Sequence, residues 1–237
     1  MAFLQSGQGR EPFLKAPVPV LSLIGAMVVA HVARMMMTTA ASEHVLNEYA
    51  FIPLRYAPDA LEPGNWIDRT IPFVSYMFLH ADLAHLAINC LWLLAFGSVV
   101  ARRFGSVAFL LFFLVCGIAS AAIHLALNWE SPGAVIGASG AISGLMAAGI
   151  RMLSVPGQHP GTQRPGLAPI FSPQVLVFSV LWLAINLVFG FAGFTIGGAA
   201  QPVAWQAHLG GYFTGLVLAG PFDGWASKSD EDRPLAA

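Results

Sequence analysis

The chain has 237 residues, of which 57% are hydrophobic and only 10% charged, and its formal net charge is −1. Soluble domains carry about 25% charged residues, so this chain has too few to clothe a soluble surface, and lipid is its expected solvent. The near-neutral charge gives no footprint for nucleic acid, and the two cysteines, Cys90 and Cys116, lie in apolar runs and read as packing, not as a disulfide framework.

Six segments approach the ~20 residues an α-helix needs to cross ~30 Å of hydrocarbon. A polar stretch, 1–16, precedes the first. That first segment, 17–37, is long for the core of a signal sequence and ends at Arg34 and three methionines, so it is read as a retained anchor with no cleavable signal. A connection over 38–82, with several acids and Trp66, is too long for a simple turn. The second and third segments, 83–101 and 104–127, are split at Arg102 and Arg103, and Asn128, Trp129 and Glu130 end the third. The fourth, 137–151, is short and holds four glycines, each costing a helix ~1 kcal/mol relative to alanine. An interrupted span of this kind reads as irregular backbone lining a cavity, or as small residues that let helices pack closely. A Pro/Gly-rich stretch, 155–173, leads to the fifth and sixth segments, 174–196 and 203–221, and 222–237 reads as a polar, disordered tail. With six spans both termini share one side. Arg10, Lys15, Arg102, Arg103, Arg151, Arg164, Lys228 and Arg233 fall there, against Arg55 and Arg69 opposite and Arg34 near the boundary. Excess Lys and Arg marks the cytoplasm, so both ends are expected to face it.

Polar side chains within the spans are functional candidates by default. No Asp or Glu lies between Leu83 and Trp129 or between Ser131 and Phe222. That disfavours a pair of buried aspartates and a carboxylate-driven transporter. H-E-x-x-H, the pattern of one zinc-protease class, is absent too. What remains is His85 and Asn89, four residues apart on one helix face, Ser139 in Gly137-Ala138-Ser139-Gly140, and His208 in the sixth span. At 1.5 Å per residue these groups lie roughly 18 to 25 Å from the inner charge markers, Arg102, Arg151 and Asp223, and so at one level.

A serine hydroxyl needs a neighbouring imidazole to take its proton, and attack on a peptide carbonyl needs fixed donors for the oxyanion. His208 is the expected base. The Asn89 amide, the His85 ring and the Ser139 backbone N–H are the expected donors. Gly137 and Gly140 free the turn ahead of a helix whose positive end faces the oxyanion. No carboxylate is available to orient His208, so a dyad is expected. Each piece has a plainer reading: Asn89 as an interhelical hydrogen bond, His85 and His80 as interfacial groups, His31 and His124 as packing or caps, and Ser143, Ser75 and Trp182 as structural. The conjunction carries the expectation.

The ordered set His85-x-x-x-Asn89, Gly137-Ala138-Ser139-Gly140 and Ala207-His208-x-x-Gly211-x-x-x-Gly215 resembles the rhomboid family of intramembrane serine proteases, over about 66–221. The resemblance implies an all-α membrane protein with six transmembrane helices over 17–221, the fourth short and starting inside the bilayer. It implies Ser139 as nucleophile, His208 as general base, and His85, Asn89 and Ser139 as the oxyanion hole, with no metal or cofactor. Gly211 and Gly215 are expected to bring the sixth span onto the fourth. Substrates are expected to be other transmembrane proteins, single-pass or otherwise, cut near the outer end of a span, and the membrane a bacterial inner membrane because nothing is appended for an organelle. The chain departs from the family twice. Ile71 and Pro72 stand where a Trp-Arg pair usually anchors the first loop, with Trp66 and Arg69 at a different spacing. Ser143 replaces the aromatic that packs on the catalytic histidine, leaving that support to some other group, with Trp205 and Tyr212 as candidates. A catalytically silent rhomboid-like binder of membrane proteins and a small-solute transporter are the alternatives. Intact Ser139 and His208 argue against the first, and the missing membrane charges against the second.

Overall fold

The computed structural model describes residues 16–57, 60, 65–155, 166–193 and 203–231, and helices dominate it. The first helix, α1 (Val18–Met35), starts with Pro17 at its cap and Pro19 in its first turn, where the missing N–H costs nothing. The long connection is itself helical in pieces: α2 (Thr39–Tyr49), a 3₁₀ turn at Pro53–Tyr56, and the short α3 (Trp66–Thr70) and α4 (Pro72–Ser75). Next comes α5 (Leu83–Trp92), which runs through a π turn, Leu93–Gly97, into α6 (Ser98–Leu127). The chain continues with α7 (Ser139–Leu153), α8 (Pro173–Ala192) and α9 (Trp205–Glu231).

Three of these stretches are long and apolar enough to cross a membrane: Val18–Met35, Leu83–Leu127 and Pro173–Ala192. The middle one, 45 residues long, is broken inside by Gly105 at φ 76°. Only glycine takes that conformation without penalty. The break falls just beyond Arg102 and Arg103, where the charge pattern divides the second segment from the third. All six predicted segments are therefore helical over most of their described residues, and 194–196, the end of the fifth, lie outside the described residues.

The sixth segment differs from expectation at its end. The helix continues through Pro221 to Glu231, where a disordered tail was expected to begin. Three contacts hold it. Phe222 packs on Phe104 and Phe112 at centroid distances of 6.1 and 5.1 Å, Ala226 is buried, and Asp223 accepts both Nε and Nη2 of Arg103 at 2.7 Å. Phe222, Trp225 and Ala226 lie at helical spacing, a stripe that the polar composition of 222–237 hides.

The core is the junction of α6, α7 and α9, filled by Phe104, Phe109, Phe112 and Phe113 below and by small residues above. A Cβ on Gly211 would collide with the Gly140 carbonyl, and one on Gly215 with that of Gly144. The two backbones thus touch at these glycines. On the other side of α7, Gly140 leaves room for Ser120, whose hydroxyl donates to the Ala207 carbonyl at 2.7 Å, and Gly144 faces the buried Cys116. By contrast α8 exposes Val177, Val180, Leu181, Ile185 and Val188, an apolar surface of the kind that faces lipid.

The connection ahead of α5 is anchored without the Trp-Arg pair. Arg34 of α1 donates Nη2 to the His80 and Ala81 carbonyls at 2.7 and 3.3 Å. Phe51, Tyr56, Phe73 and Tyr76 form an aromatic cluster, while Trp66 is exposed. Arg69 contributes its carbonyl, which accepts the Tyr56 hydroxyl at 2.8 Å. Burial pushes that phenol up to about 12, against the opposing charges of Arg55 and Arg69, so it remains a donor.

Candidate active site

Ser139 is the first residue of α7, and the loop that delivers it is pinned from two sides. Val135 exchanges backbone hydrogen bonds with Phe51 at 3.1 and 2.8 Å, and the Gly137 N–H donates to the Tyr76 carbonyl at 2.9 Å. Gly137 turns the chain at φ 111°, so a side chain there would be strained. It would also collide with the His85 ring, whose Nε2 is 2.7 Å from the Cβ position. Helix α7 starts at Ser139, so the N–H groups of its first turn have no partner within the helix and remain available.

His208 approaches from α9. Its Nε2 lies 2.7 Å from the Ser139 Oγ, the contact the expected dyad requires. Neither residue is fully buried. The glycine contacts between α7 and α9 set this distance, because Gly211 is one turn beyond His208 and Gly140 adjoins Ser139.

On the α5 side, Asp82 caps the helix by accepting the His85 N–H at 2.8 Å. The Ala81 N–H points at His85 Nδ1 at 3.4 Å, which makes that nitrogen the acceptor and leaves the proton on Nε2, beside Gly137. Asn89, one turn on and buried, spends one Nδ2 hydrogen on the His85 carbonyl at 2.9 Å. Its second hydrogen remains, on a nitrogen 3.8 Å from the Gly137 Cβ position. His85, Asn89, Gly137, Ser139 and His208 are thus brought together, with Gly140, Gly211 and Gly215 as the surfaces that allow it.

Neither candidate named for the support of His208 stacks on its ring among the described contacts. Tyr212 stacks flat on Trp182 of α8 at 4.1 Å and 15°, with its hydroxyl 2.7 Å from that of Ser179. Trp205 lies against Gly190 and Phe191. The group that meets the imidazole is Asn186 of α8, its Oδ1 2.7 Å from His208 Nδ1. No motif announces Asn186. The available signal is its place on the stripe Ser179, Trp182, Asn186 and Gly190, an α8 face that touches α9. Ser143 donates its hydroxyl to the Ser139 carbonyl at 2.7 Å and is buried. The His80 ring is fully buried, 5.1 Å from that of His85 and edge-on to it. His31 and His124 are buried, as packing groups would be.

Residues 68–222 match the family described as Rhomboid domain. The chain is 31% identical over 156 residues to Rhomboid protease GluP of Bacillus subtilis (strain 168), covering 66% of this chain and 26% of that protein. It is 30% identical over 151 residues to Rhomboid protease GlpG of Serratia proteamaculans (strain 568), covering 62% and 46%. It is 29% identical over 203 residues to RHOMBOID-like protein 6, mitochondrial, of Arabidopsis thaliana, covering 76% and 59%. The chain spans less than two thirds of each of these relatives.

Proposed function

Starting from the rhomboid family, to which this integral membrane protein belongs, we propose that it is an intramembrane serine endopeptidase that cuts transmembrane segments of other proteins. The observation that carries the reading is the 2.7 Å contact between Ser139 Oγ and His208 Nε2 at the head of α7. His208 takes the hydroxyl proton as Oγ attacks the scissile carbonyl. The oxyanion is met by the Ser139 N–H, the second Nδ2 hydrogen of Asn89 and the Nε2–H of His85. His208 then protonates the leaving amine; a water molecule, deprotonated in turn by His208, attacks the acyl carbon, and the imidazolium returns that proton to Ser139 Oγ as the Oγ–acyl bond breaks. No step needs a metal.

The topology belongs to the same proposal. Six crossings are formed by α1, α5 with the start of α6, the rest of α6 after Gly105, α7, α8 and α9. Both termini face the cytoplasm. The short α7 starts below the outer surface, so a substrate span must unwind locally to reach Ser139. Glycine in a substrate helix lowers the cost of that unwinding.

The reading is tested by reconstituting the protein in vesicles with a single-span substrate and following cleavage. Wild type cuts, and Ser139→Ala and His208→Ala do not, while both variants keep the wild-type thermal midpoint. Chelators leave the rate unchanged. Equal cleavage by wild type and Ser139→Ala would refute the serine mechanism. A folded wild type that binds the span without cutting any substrate would point instead to a silent binder.

A further inference from the structure

Asn186 sits on a helix whose other faces are apolar and exposed, yet it is itself buried. An amide in such a place is costly unless every polar atom is satisfied. Both are. Nδ2 donates to the Trp182 carbonyl at 2.9 Å, one turn back in α8, and Oδ1 faces His208 Nδ1 at 2.7 Å. The first bond decides the chemistry of the second. The Trp182 carbonyl can only accept, so the amide nitrogen must point at it and the amide oxygen at the imidazole. An oxygen can only accept, so His208 Nδ1 carries the proton. The other ring nitrogen, Nε2, therefore presents a lone pair to the Ser139 hydroxyl at 2.7 Å. With the amide reversed, Nδ2 would donate to Nδ1 and the proton would sit on Nε2, the tautomer that cannot act as a base toward Ser139.

From this chain of contacts we infer that Asn186 is a positioning residue that fixes the tautomer and orientation of His208, so that Ser139, His208 and Asn186 act as a triad. The inference rests on the protease reading above. The arrangement has the logic of proteases in which an uncharged amide orients the histidine. No carboxylate lies between Ser131 and Phe222 to do so. When His208 becomes an imidazolium, the Nδ1–H remains bonded to the negative end of the Asn186 dipole. No proton moves to the amide. The orientation is secured by packing on either side, since Trp182 stacks on Tyr212 and Gly190 admits Trp205.

Three proteins decide it. Asn186→Leu keeps the branched shape, with bulkier methyl ends, and offers no acceptor, Asn186→Asp restores one with a charge, and Ser139→Ala is the control. An orienting third group is worth up to ~10⁴ in rate when charged. For the neutral amide we expect Asn186→Leu to lower kcat about 10²-fold, with KM within twofold and the thermal midpoint unchanged. Asn186→Asp should recover most of that activity. Its carboxylate raises the His208 pKa, so the neutral base is lost at higher pH and the acid limb of kcat/KM moves up by about one unit. Wild-type kcat in Asn186→Leu, or an unmoved acid limb in Asn186→Asp, would overturn the inference, and whichever variant folds decides. If neither folds, the ¹⁵N spectrum of His208 in the wild type does. A proton on Nδ1 agrees, and a proton on Nε2 contradicts. An active Ser139→Ala would instead sink the protease reading beneath the inference.

Discussion

Along α9, the side that faces α7 is a seam of bare backbone, whereas the side that faces α8 is a seam of side chains. On the first, Gly211 and Gly215 lie directly on the Gly140 and Gly144 carbonyls. On the second, the Tyr212 ring, the His208 imidazole and Trp205 meet Trp182, Asn186 and Gly190 in turn. The two seams divide the labour at the candidate site. Backbone contact has no rotamers to adjust, so it sets how far His208 stands from Ser139. Side chains set which way the ring turns and where its protons lie. A change in the first seam should act on distance and stability together, and a change in the second on chemistry at nearly constant fold.

The largest effect is therefore expected at the backbone seam. Gly211→Val places a branched side chain against the Gly140 carbonyl. Over-packing typically costs ~1–3 kcal/mol and sometimes more, and a 1 Å misplacement of reacting groups can cost 10²-fold in rate. Cleavage should be undetectable and the thermal midpoint clearly lowered. Near-normal activity in this variant would show that α7 and α9 are not in contact.

The α5 side works by side chains, as α8 does, and Asn89→Ala tests it next. One oxyanion donor is typically worth ~10²–10³ in rate. Turnover should fall about 10²-fold with the fold retained, because the His85 ring and the Ser139 N–H stay in place. Unchanged turnover with weakened folding would assign Asn89 to structure alone.

A smaller loss is expected from Tyr212→Phe. It keeps the stack on Trp182 and removes only the hydroxyl that meets Ser179. A hydrogen bond of this kind contributes about 1 kcal/mol, so the midpoint should drop slightly and activity should stay within tenfold of wild type. A loss as great as that of Asn186→Leu would mean that the α8 seam acts as one block. Ser143→Ala should do least. Its hydroxyl bonds only to the Ser139 carbonyl within α7, so most activity should survive, and no residual cleavage in Ser139→Ala should depend on Ser143.

The two seams also differed in how far the sequence betrayed them. The packing glycines Gly211 and Gly215 came into view through the family resemblance, and the charges of Arg102, Arg103 and Arg151 marked where the helices end. Ser139, His208, His85 and Asn89 were legible because a dry serine site needs those residue types at one depth. Asn186 was not. A lone asparagine in an apolar helix reads as an interhelical hydrogen bond, and its partner is chosen by the packing of α8 on α9, 22 residues apart in sequence. Arg34 was hidden for the same reason, since it holds carbonyls 46 and 47 residues away. The extension of α9 beyond Pro221 was masked by polar composition, although Phe222, Trp225 and Ala226 keep the helical period.

The central claim is that Ser139 is a nucleophile activated by His208, and covalent labelling reads this without any knowledge of the natural substrate. Purified protein treated with a fluorophosphonate should gain one adduct, located on Ser139 by peptide mass analysis, and should gain none in Ser139→Ala or His208→Ala. Equal labelling of Ser139→Ala and wild type, or no labelling of a folded wild type, would contradict the account.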